Sequence, residues 1–152
     1  MDVSSFAEIE REFSERVNRI VWCSVATVDA KGRPRSRILH PYWQGQVGWI
    51  ATSRDSYKAA HLARNPHVSL AYVADISKPV YIDATAEWMD DAATKQYVWD
   101  LYTNTPPPLG YKVADFWGAV DSPSFGVLRL TPWRIEVTDF PVGTRVWRSA
   151  QQ

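Results

Sequence analysis

Thr52-Ser53-Arg54-Asp55-Ser56-Tyr57-Lys58 is the stretch on which the fold turns. Before it, Val47 to Thr52 is rich in β-branched and apolar residues and reads as a strand. After it the period lengthens: Ala59, Ala60 and Leu62 supply a packing face, and Asn65-Pro66 stops the run. The heptapeptide therefore joins a strand end to a helix start, with Ser53 or Asp55 as the expected cap. At such a junction backbone amides point free, and the helix dipole favours an anion. Hydroxyls and a lysine in the same turn add donors and a full charge. A phosphate monoester is nearly a dianion and wants a second cation. Arg37, two-pronged and always charged, is the candidate if its strand lies alongside. The plainer alternative is a polar helix cap beside a solvated row of arginines.

Working outward, Ser5-Phe6-Ala7-Glu8 has capping-box spacing, and Phe6, Ile9, Phe13, Val17 and Ile20 mark an amphipathic helix ending near Arg19. Val21 to Val28 is a strand and Asp29-Ala30-Lys31-Gly32 a turn. Pro34 to His40 alternates, with Arg33, Arg35 and Arg37 on one side and Ser36, Ile38 and His40 on the other. Gln44-Gly45-Gln46 leads into Val47 to Thr52, giving an antiparallel meander. His67 to Ala74 and Val80 to Trp88 are further strands. Asp90 or Asp91 caps a helix through Tyr97, Val98, Leu101 and Tyr102, and the prolines of Thr103 to Gly110 make an extended loop. Phe125 to Leu130 and Arg134 to Thr138 read as two final strands, followed by a turn and a Trp-Arg tail. Six or seven strands with a short helix between the third and fourth predict a closed antiparallel barrel, which removes exposed edges. No internal repeat or boundary divides residues 1–152.

Composition narrows the function. The 152 residues are 45% apolar, enough for a core. The 17 basic and 17 acidic residues cancel, which argues against a nucleic-acid partner. Cys23, the single cysteine, lies in the apolar run Ile20 to Val25 and reads as a buried, inert thiol. No basic start, signal core or run of about 20 apolar residues is found, so the expectation is a cytoplasmic protein with no membrane partner. His40, His61 and His67 lack metal-ligand spacing, and no nucleophile elbow or glycine-rich phosphate loop occurs. The eight tryptophans suit a core, an interface or a site for a flat ligand.

The order Gly32-Arg33-Pro34-Arg35-Ser36-Arg37-Ile38-Leu39, then Thr52, Ser56-Tyr57-Lys58, and Asn65-Pro66-His67-Val68-Ser69-Leu70 resembles the pyridoxamine 5'-phosphate oxidase-like, FMN-binding split-barrel superfamily. Leu128 to Glu136 is similar to that family's last core strand. The resemblance covers roughly 18–88 and 125–140. It implies a mainly β, α+β fold: a six-stranded antiparallel split β-barrel with Greek-key features and flanking helices, a homodimer with a cofactor at each of two sites between subunits. It also makes 89–124 an insertion, either packed over the barrel or lidding the site. The cofactor-binding set it implies is Arg35, Arg37, Ile38, Ala51, Thr52, Ser53, Ser56, Tyr57, Lys58, Trp133, Trp147 and Arg148, with no metal and no assigned catalytic side chain.

Two departures bear on activity. Where the name-giving oxidase has a substrate-phosphate lysine, five residues after the motif arginine, this chain has Tyr42; its C-terminal Arg-x-His is also missing from Thr144 to Arg148. Vitamin B6 oxidation is therefore not expected. The expectation is an FMN-dependent oxidoreductase moving a hydride to or from a small organic molecule. The alternatives are a reductase using the deazaflavin coenzyme F-420, its acidic tail along Arg33, Arg35, Arg54 and Arg64, and a non-enzymatic flavin or haem binder with His40 as axial ligand.

Overall fold

The computed structural model describes residues 1–150. A short 3-10 turn, Phe6–Glu8, precedes helix α1, Glu10–Ile20. Glu8 closes the capping box, its carboxylate accepting from the backbone N–H groups of Ser4 (2.9 Å) and Ser5 (3.0 Å). α1 ends at Val21, whose φ of 57° is costly for a β-branched residue and swings the chain into the sheet. The strands are β1 Cys23–Val28, β2 Pro34–Leu39, β3 Tyr42–Gln44, β4 Val47–Ser53, β5 His67–Tyr72, β6 Val80–Trp88, β7 Phe125–Asp139 and β8 Gly143–Arg148. Helices α2, Tyr57–Arg64, and α3, Ala92–Asn104, follow β4 and β6, and a single turn, α4 Ala114–Trp117, precedes β7.

Every ladder is antiparallel, in the order β2-β1-β5-β6-β7-β4-β3, with β8 also on β7. The first half of β7 pairs with β4 and its second half with β8, while β6 runs along both. That shared strand bends the sheet into a half-barrel of the expected α+β class; the sheet does not close as expected, and β2 and β3 remain its edges. Among the described residues the strand count is eight, because Tyr42–Gln44 pairs with β4 and the supposed C-terminal tail pairs with β7. The two final strands expected from the sequence are one strand. Its register slips where Asp83 faces Arg134 but Ala84 faces Pro132, so Trp133 is left over as a bulge.

Two cores result. The larger fills the half-barrel under α1, with Ile9, Phe13, Val17, Ile50, Leu70, Ile82, Leu130 and Ile135 at most 1% exposed. Each such side chain contributes about 1.5–3 kcal/mol by leaving water. The smaller packs α3 and the 105–120 segment on β4 and β7 through Val98, Tyr102, Val113, Phe125 and Val127. Asp91 caps α3 by accepting from Thr94 N (2.8 Å), whereas Asp90 pairs with Arg54. Among the described residues no helix is long and apolar enough to cross a membrane.

Candidate functional site

β2 and the junction between β4 and α2 line two clefts. The first, about 300 Å³, is polar and bordered by Asp29, Arg35, Ser36, Arg37, Tyr57 and His61. Antiparallel pairing opposes Arg37 to Val25 on β1, so its side chain lies over the inward row Val25 and Thr27. There Arg37 Nη1 donates to Thr27 Oγ1 (2.8 Å), Arg35 O (2.8 Å) and Val25 O (3.2 Å). The turn below is fixed by Asp29, which accepts from Lys31 N, Arg33 N and Arg33 Nε; the N–H of Arg33 leads in holding its carboxyl down at about 2.

Lys58, in the first turn of α2, is 8% exposed and donates through Nζ to Ser56 Oγ at 2.7 Å. Ser56 stands at the N-cap but gives its own proton to Ser53 O (2.8 Å), so its side chain does not cap the first-turn amides. Burial lowers the Lys58 pKa, nearby Arg37 lowers it further, and Asp55 pulls the other way. Arg37 is lowered by burial and by Arg35. Among the described residues neither cation has a salt-bridge partner. Two partly desolvated cations that repel each other, neither in a salt bridge among the described residues, call for an anion.

The second cleft, about 350 Å³, is lined by Val21, Trp22, Ile38, Leu39, His40, Ala51, Thr52, Ser53, Pro108, Tyr111, Phe116 and Trp117. Among the described residues no lysine, arginine or carboxylate lines it. The insertion thus forms one wall, where the sequence left lid and packing roles open. His40 sits among the rings of Trp22 (5.1 Å), Tyr111 (5.3 Å) and Tyr102 (5.6 Å). Its Nε2 is buried without a hydrogen-bond partner; burial lowers its pKa, the Leu109 carbonyl acting in the opposite sense. Tyr42 lies under the insertion, its hydroxyl 3.3 Å from Thr105 Oγ1 and its ring edge-on to Tyr102.

The expected site residues therefore fall into groups. Arg35, Arg37 and Tyr57 border the polar cleft, and Ile38, Ala51, Thr52 and Ser53 the apolar one; Ser56 and Lys58 line neither but are bonded to each other, with Lys58 near enough to Arg37 to feel its charge. Within one chain, Trp133, Trp147 and Arg148 line neither. Trp133 sits at the β7 bulge with its Nε1 buried and unbonded, Trp147 packs on Phe6 in the main core, and Arg148 pairs with Asp2. Missing from the expected set are His61, His40, Trp22 and the insertion aromatics. His61 had a usable signal, since it follows Lys58 by three residues on the same face of a helix, and His40 was singled out only as an axial ligand for haem.

A mainly antiparallel half-barrel with a long shared strand and a cleft at its open edge defines the split-barrel class. The chain belongs to the pyridoxamine 5'-phosphate oxidase family, whose profile matches residues 9–139. A pyridoxine/pyridoxamine 5'-phosphate oxidase of Paraburkholderia phymatum is 31% identical over 91 residues, 56% of this chain and 43% of that protein. The chain thus matches less than half the length of that relative. Among solved structures, a Clostridium acetobutylicum protein related to general stress protein 26 superposes with TM-score 0.77 at 17% identity, covering 93% of this chain and 94% of the other. A haem storage protein of Vibrio cholerae superposes with TM-score 0.67 at 22% identity, covering 88% and 97%. At these identities the structural likeness speaks for the fold alone; the fold family holds both oxidases and haem-binding proteins.

Proposed function

We propose that this chain binds FMN and acts as an oxidoreductase on a small, uncharged organic substrate. The observation that carries the reading is the pair Arg37 and Lys58, half-buried and buried, close enough to repel each other and, among the described residues, without a salt-bridge partner. The residues fit the cofactor: Arg37, Ser56 and Lys58 would hold the phosphate, and the aromatic cleft beside them would take the flat ring. Bound there, the flavin supplies the hydride chemistry. The chain's part is to grip the phosphate, to orient the ring against Ile38, Ala51 and Thr52, and to keep water out with Trp22, Tyr111 and Trp117.

The tailed deazaflavin is less well served, since Arg33 is paired with Asp29 and Arg54 with Asp90, leaving Arg35 and Arg64 of the four arginines for an acidic tail. A haem would need His40 Nε2, which the surrounding rings seal from solvent. Pyridoxamine phosphate as substrate finds no cation in the apolar cleft, and Tyr42 is engaged under the insertion. Absorbance titrations of the purified protein with FMN, the deazaflavin and haem test the reading. It expects saturable FMN binding with a perturbed flavin spectrum, and turnover of pyridoxamine phosphate far below that of a dedicated oxidase. A Soret band that saturates while FMN fails to bind would overturn it.

A further inference from the structure

One hydroxyl in the site serves two partners. Thr27 Oγ1, on a β1 residue only 2% exposed, lies 2.8 Å from Arg37 Nη1 and 2.8 Å from His61 Nδ1. A guanidinium can only donate, so Thr27 accepts from Arg37 and keeps one proton to give. Given to His61 Nδ1, that proton would leave Nε2 as the imidazole nitrogen that carries hydrogen. Arg37 Nη1 is committed to Thr27 and two carbonyls, while among the described residues Nε and Nη2 have no partner. His61 stands one helical turn beyond Lys58 and borders the polar cleft with Arg37 and Tyr57.

We infer that Thr27 and His61 belong to the phosphate site. Thr27 is a positioning residue that orients Arg37 and His61 through one hydroxyl. His61 is a further donor to a phosphate monoester, through Nε2–H. The identity of the ligand rests on the FMN reading above; the hydrogen-bond chain does not.

The test has two parts. Nitrogen-15 histidine spectra of the ligand-free protein at about pH 8, where an imidazole is ordinarily neutral, should show His61 as the Nε2–H tautomer, and Thr27→Val should mix the tautomers. FMN and riboflavin affinities are then measured side by side. Thr27→Val and His61→Phe should each weaken FMN about tenfold, the scale of one lost hydrogen bond to a charged group. Riboflavin, which lacks the phosphate, should change less than about twofold on the same scale, and Thr27→Ser should restore FMN binding. An Nδ1–H tautomer in the parent, unchanged FMN affinity in both variants, or equal losses for FMN and riboflavin would each overturn the inference. If the parent binds neither flavin, inorganic phosphate is added: a shift of the His61 Nε2 resonance upholds the phosphate site while retiring the flavin reading, and no shift overturns both.

Discussion

Burial beside Arg37 sets the charge of Lys58 against the stability of the ligand-free protein. Its folded pKa lies below that of an unfolded lysine, so the unfolded chain holds the proton more strongly. Stability of the ligand-free protein therefore rises as pH climbs from the folded value toward the ordinary one. Lys58→Met keeps the buried stem and removes the charge. Thermal melts across alkaline pH should show its melting temperature at or above the parent's near neutrality, with a flatter pH dependence; a clear drop would mean the ammonium is stabilising. Cys23 is a contrasting case: burial pushes its thiol up to about 12, so a thiol reagent should label it only on unfolding. Both residues were legible beforehand, the thiol from its apolar run and the lysine from its place after a strand. For His40 and His61 the surroundings were not, because a histidine's role is set by what the fold brings to its two nitrogens.

The elements that touch the site are held by backbone contacts as much as by side chains. A Cβ on Gly110 would come within 1.8 Å of Thr105 O and 2.5 Å of Tyr102 O. Gly110→Ala must therefore shift the insertion against α3, costing about 1–3 kcal/mol as an overpacked contact. Urea unfolding should register that loss, and the ring cleft should loosen with it; an unperturbed midpoint and unchanged flavin affinity would contradict the view that this loop walls the cleft. Helices and the early strands could be read from capping and periodicity because both are local. β7 could not be read from periodicity, though the family resemblance ran one strand from Leu128 to Glu136: Thr131-Pro132-Trp133 interrupts the alternation and looks like a turn, yet the pairing with β6 leaves the extra residue as a bulge. Trp147 was placed at the cofactor through the family resemblance; the β7–β8 ladder puts it against Phe6 in the core of its own chain.

The whole chain leaves its site on an open edge. Trp22, Ile38 and Phe116 border the apolar cleft yet are 53%, 62% and 69% exposed, and β2 pairs with β1 alone. Apolar residues so placed favour a covering surface, and a second copy of the chain is the proposed cover. Sedimentation at nanomolar to micromolar concentration should show a dimer; a stable monomer that binds cofactor would contradict this. The central claim, a phosphate gripped by Arg37, Ser56 and Lys58, is tested most directly by the affinity ratio of FMN to riboflavin in the parent, Arg37→Ala and Lys58→Met. The account predicts a strong preference for FMN that shrinks by about 1.5–3 kcal/mol in each variant, the scale of a charge-assisted hydrogen bond. Equal affinity for the two flavins in the parent, or a preference untouched by both substitutions, would contradict it.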